Sequence, residues 1–129
     1  MRALLLVILG LAIGAIGATF ALSALRQGTP YHKAVMAVMQ HHMGALRDNV
    51  RANRCEAKVT TGHLLRLRQE AGDIGDAFPG ADTGFGQAAT HLASSLDDAI
   101  AAAPADCAGL TAVIARVGES CQSCHRQYR

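Results

Sequence analysis

The sequence predicts an all-α protein, an up-down-up-down four-helix bundle preceded by an N-terminal hydrophobic signal or anchor helix. Three observations predict it. After Pro30, apolar residues recur at three- and four-residue steps through four long stretches. No valine-rich alternating run occurs that would build a strand. Short breaks carrying Pro, Gly or Asp separate the stretches, and short connections make helices pack as antiparallel neighbours.

The opening segment, MRALLLVILGLAIGAIGATFALSALRQ, has a basic start at Arg2 and no further charge until Arg26. Such a segment directs export, as a cleaved secretory peptide or as a single membrane anchor. Small residues at Ala21, Ser23 and Ala24 offer a cleavage site, and removal is the favoured reading. The expected division is therefore 1–24 as leader and 25–129 as the folded domain, outside the cytoplasm.

The first bundle helix is expected from about Tyr31 to Asn53, with Met36, Met39, Met43, Leu46 and Val50 on one face. The second, about Ala57 to Phe78, carries Leu64, Leu67, Ala71, Ile74 and Phe78 as its stripe. PGADTG, from Pro79 to Gly84, is the clearest loop in the chain. The third helix, about Phe85 to Ala103, turns Leu92, Leu96, Ala99 and Ile100 inward, and Pro104 ends it. Asp106 can cap the fourth, which runs to about Tyr128 with Leu110, Ile114, Val117, Cys121, Cys124 and Tyr128 in register.

Composition adds two constraints. A chain of 129 residues has room for one core domain, and a net charge of +2 without a basic run excludes a nucleic-acid footprint. Half of the residues are apolar, yet there are only three Phe, two Tyr and no Trp, so side chains alone leave a core with little bulky filling. A flat prosthetic group would fill it.

Cys121, Cys124 and His125 spell C-x-x-C-H, the attachment signature of c-type haem. Thiols at i and i+3 of a helix project from one side, where both can add to the haem vinyl groups, and the histidine beside the second aims its imidazole at the iron. A redox disulfide or half of a zinc site are the competing readings. The zinc site lacks a second ligand pair nearby, and a thioredoxin-like motif expects strands. Burying about 400 Å² of apolar haem surface would contribute on the order of 10 kcal/mol, so the haem-free chain is expected to fold poorly.

Bundle topology places the start of the first helix and the end of the fourth at one pole, and Cys55 and Cys107 at the other. A Cys55–Cys107 disulfide is therefore geometrically plausible and would persist outside the cytoplasm, the alternative being two buried free thiols. Met39 and Met43 read as core filler. His41, His42, His63 and His91 read as surface histidines, and Asp97-Asp98 as a solvated helix face.

VGESCQSCHRQYR at Val117 to Arg129, and YHKAVMAVMQHHMGAL at Tyr31 to Leu46, together resemble the class II c-type cytochromes: cytochrome c prime and its low-spin, methionine-ligated relatives. The resemblance implies haem c, with His125 as proximal iron ligand and Met36 over the distal face. In low-spin members the methionine at this position binds iron. In cytochrome c prime proper the position is often leucine, sometimes methionine, and the iron stays five-coordinate. His32 stands where the family generally has arginine, and it could hydrogen-bond a haem propionate, shape the distal pocket or compete for iron. The family's chain starts also imply cleavage near Ala21 to Ala24. The expected function is electron transfer between redox partner proteins in the periplasm, not enzymatic catalysis. The alternative is a five-coordinate protein that binds nitric oxide or carbon monoxide. Membrane contact would require a retained leader, and self-association into a homodimer is a further option.

Overall fold

In a computed structural model, which describes residues 2–26 and 30–128 but not the side chains of Leu5, Ala24, Leu25 and Arg26, the chain forms two compact units, 1–30 and 31–129. The first unit holds α1 (Arg2–Arg26). Its stretch Arg2–Ser23 is long and apolar enough to cross a bilayer, and none of its described side chains is buried. The expected cleavage window from Ala21 lies in this helix.

The second unit is built from α2 (Tyr31–Arg51), α3 (Ala57–Ala77), α4 (Thr83–Ala101) and α5 (Cys107–Gln127), joined by three loops of five residues each. Each helix packs on its neighbours in chain order, and α5 returns to α2, closing a four-helix bundle. The predicted faces meet at its axis. Leu46, Leu64, Leu67, Leu96 and Leu110 are each 2% exposed or less, and each contributes about 1.5–3 kcal/mol by leaving water. The seam between α2 and α5 is packed less extensively than the other three.

Helix ends differ from the expected ones by about two residues, and caps explain the shifts. α4 begins earlier because Asp82 Oδ1 accepts a hydrogen bond from the Phe85 backbone N–H at 2.8 Å. Asp106 caps α5 in the same way, accepting from Gly109 N–H at 2.7 Å. α2 stops earlier because Asn53 turns into the left-handed region, at φ 52°. Ala103 does the same after α4, at φ 41°, where a Cβ is strained.

A disulfide joins Cys55 to Cys107 with the Cα atoms 5.2 Å apart. It pins α2 to α5 at one pole. Toward the other pole, where α2 begins and α5 ends, the seam opens between Met36 and His125.

Candidate functional site

The open seam forms a cavity of about 530 Å³, within the size range of cofactor pockets. From α2 it is lined by Met36, Met39, Gln40, Met43 and Arg47. Facing them on α5 are Cys121, Cys124 and His125, with Val117, Gly118 and Gln122. Leu67, Ile74, Leu92 and Leu96 form an apolar floor. The C-x-x-C-H motif lies wholly within α5, so helical spacing sets both thiols toward one side.

Neither Cys121 nor Cys124 is in a disulfide. Burial pushes the Cys121 thiol up, against the opposing pull of the Arg47 guanidinium, and burial likewise raises Cys124. Both remain protonated at neutral pH, so the thiolate, the nucleophilic form, is scarce. His125 is exposed at the cavity rim, and Met36 is half-buried.

Three of the chain's few aromatic rings plug the end of this cavity, a grouping that helical spacing does not reveal. Phe85 lies between Phe78, at 5.0 Å, and Tyr128, which meets it edge-on at 5.3 Å. Tyr128 donates a long hydrogen bond to Asp82 Oδ1 at 3.5 Å, and partial burial together with the Asp82 carboxylate raises its phenol. Gly84 makes this possible, because a Cβ there would come within 2.6 Å of the Tyr128 hydroxyl. The one signal in the sequence is the crowding of scarce aromatics at three helix ends. Arg129, which the expected C-terminal motif includes, lies outside the described residues.

His32 is not among the lining residues. It is half-buried against Phe78, one of the lining residues, with ring centroids 5.4 Å apart.

The histidines expected at the surface divide into two sets. His41 and His91 are exposed. His42 and His63 are instead half-buried and face each other across α2 and α3, Nδ1 to Nδ1 at 3.0 Å. Both flank the core stripe, beside Met43 and Leu64, and the antiparallel pairing of the two helices brings those flanks together. Asp97 is exposed as expected and accepts from Arg68 Nε at 2.7 Å.

The donor set fits a covalently held haem: two thiols one helical turn apart, an imidazole beside the second, a thioether across the gap, and an apolar floor. Fold and site together define a four-helix-bundle protein built around a c-type haem pocket. No family model matches the chain. It is 33% identical over 102 residues to cytochrome c-556 of Agrobacterium tumefaciens (strain II Chrys), an alignment covering 67% of this chain and 84% of that protein. The crystal structure of cytochrome c′ from Rubrivivax gelatinosus superposes with a TM-score of 0.62 over 74% of this chain and 89% of that one, at 23% identity, and so shares the fold. The chain belongs to the class II c-type cytochromes, and its cofactor is haem c.

Proposed function

We propose that this cytochrome is an electron carrier whose haem would be attached through Cys121 and Cys124, with His125 and Met36 as the residues that hold the iron. One observation carries the reading: Met36, from the first turns of α2, and Cys121, Cys124 and His125, from the last turns of α5, line the same cavity. Bound there, haem c supplies a one-electron couple, and thioether ligation opposite histidine raises its potential.

The protein's own groups do the rest. Cys121 and Cys124 fix the position of the macrocycle, and His125, adjacent in sequence, inherits its orientation from the same turn. Met36 would offer its thioether from across the cavity, so that with His125 no position would remain for a substrate. Leu67, Leu92 and Leu96 keep water from the floor, and the Phe78, Phe85 and Tyr128 rings seal one end. His32 serves the pocket indirectly, by backing Phe78. That position also argues against His32 as the distal acid-base that a peroxidase would need.

Residues 25–129 form the haem domain in this reading, and 1–24 are an export leader removed near Ala21 to Ala24. The protein then works in the periplasm between redox partners, and retention of the leader would anchor it to the membrane.

The test is the visible spectrum of the exported, haem-loaded protein in both oxidation states. A low-spin spectrum with the weak charge-transfer band of methionine-ligated ferric haem is expected. A high-spin spectrum with rapid carbon monoxide binding would overturn the electron-carrier assignment and establish a five-coordinate, gas-binding protein.

A further inference from the structure

Away from the haem cavity, the half-buried pair His42 and His63 has no part in the reading above. Their Nδ1 atoms share a hydrogen bond at 3.0 Å, the N–H of one ring donating to the lone pair of the other. Two nitrogens bound to one metal at about 2.0–2.1 Å are about 3.0 Å apart when they subtend about 95° at the ion. A tetrahedral ion would need them near 3.4 Å by the same geometry. A cation that took the place of the shared hydrogen would therefore meet two nitrogens already at the spacing of neighbouring ligands in a square or tetragonal site, the preference of Cu(II) and Ni(II), and imidazole binds Cu(II) more tightly than the other divalent first-row ions.

From this geometry we propose that His42 and His63 form a second metal site, a surface clamp for one Cu(II) ion, independent of the haem. Each ring offers Nδ1 to the metal, and water fills the remaining positions. Among the described residues no group of three or more His, Cys, Asp or Glu side chains is placed to hold a metal, so the protein supplies two donors. Two imidazoles without a carboxylate discriminate against Mg(II) and Ca(II), which favour oxygen ligands.

The surroundings tune the clamp in both directions. Partial burial is the main reason that both imidazoles titrate below their ordinary value, which keeps them neutral, so that a metal needs only a change of tautomer in the donating ring to find both Nδ1 lone pairs. His41, whose ring meets His42 edge-on at 5.1 Å, adds to that lowering when charged. Arg66 acts on both rings and repels a dication, so the ion is held reversibly.

The experiment is titration of the oxidised holoprotein with Cu(II), followed by calorimetry and by electron paramagnetic resonance. One equivalent should bind saturably, giving an axial signal split by two equivalent nitrogens. Replacing His42 or His63 by Gln should weaken binding at least about tenfold, because one of two donors is lost, and the H42Q/H63Q pair should abolish it. His91→Gln, at an exposed position on α4, should leave binding unchanged. An unaltered Soret spectrum and far-UV helicity check that the variants fold. If they do not fold, the nitrogen splitting of the wild-type signal decides. No saturable binding, a signal without two-nitrogen splitting, or undiminished binding in the folded double variant would each overturn the proposal.

Discussion

Replacing Cys55 and Cys107 together by serine removes a bridge that spans 52 residues of sequence. The open chain regains the entropy of that loop, which at this length is worth about 4 kcal/mol in the chain-entropy account. Small domains have only about 5–15 kcal/mol of stability, so the variant should be marginal. With each kcal/mol shifting the midpoint of a domain of this size by about 4–8 °C, Tm should fall by at least about 16 °C. The location matters as much as the magnitude. The bridge follows the end of α2, while Met36 lies near its start, more than about 20 Å away along the axis. Below the transition, therefore, the Soret spectrum should not change. The assay is thermal unfolding of the haem-loaded protein by far-UV circular dichroism, with dithiothreitol-treated wild type as an independent way to break the bond. A loss of less than about 1 kcal/mol would refute the loop-entropy argument. A spectral change in the folded variant would refute the claim that the disulfide and the haem pocket occupy opposite ends of the bundle.

Three more outcomes follow from named residues. Thr60 is fully buried and its Oγ1 has no hydrogen-bond partner, so Thr60→Val should raise stability by on the order of 1 kcal/mol in urea unfolding, and a loss would show that the hydroxyl is satisfied. Ala103 holds φ at 41°, so Ala103→Gly should stabilise by about 1 kcal/mol, read as a higher denaturation midpoint at unchanged slope. Met36→Ala should convert a low-spin spectrum to a high-spin one and admit carbon monoxide, and an unchanged spectrum would assign the sixth ligand elsewhere.

The buried stripes of all four bundle helices are legible in the order of residues, because a helix repeats every 3.6 residues and its inward face is written locally as spacing. The attachment motif is legible for the same reason. Cys121, Cys124 and His125 sit within about one turn, and no distant part of the chain is needed to set their relation. The predicted stripes differ in detail where neighbours decide: Val35 is buried, and Met36 is only half-buried because it faces the cavity between α2 and α5.

The helices, their inward faces, the haem motif and the family likeness are thus all written in the order of residues. Tertiary structure alone decided which flanking residues meet across helices. His42 and His63 read as solvent-facing from their own helices, yet they touch, because the register between α2 and α3 is fixed by packing along their whole length. The aromatic plug behaves likewise: Phe78, Phe85 and Tyr128 come from three different helix ends, and Gly84 matters only once Tyr128 has arrived beside it. The physical reason is one of range. Periodicity reports contacts within a few residues, whereas an approach of 3.0 Å between side chains 21 residues apart depends on the rigid-body placement of two helices, which the summed packing of the core sets.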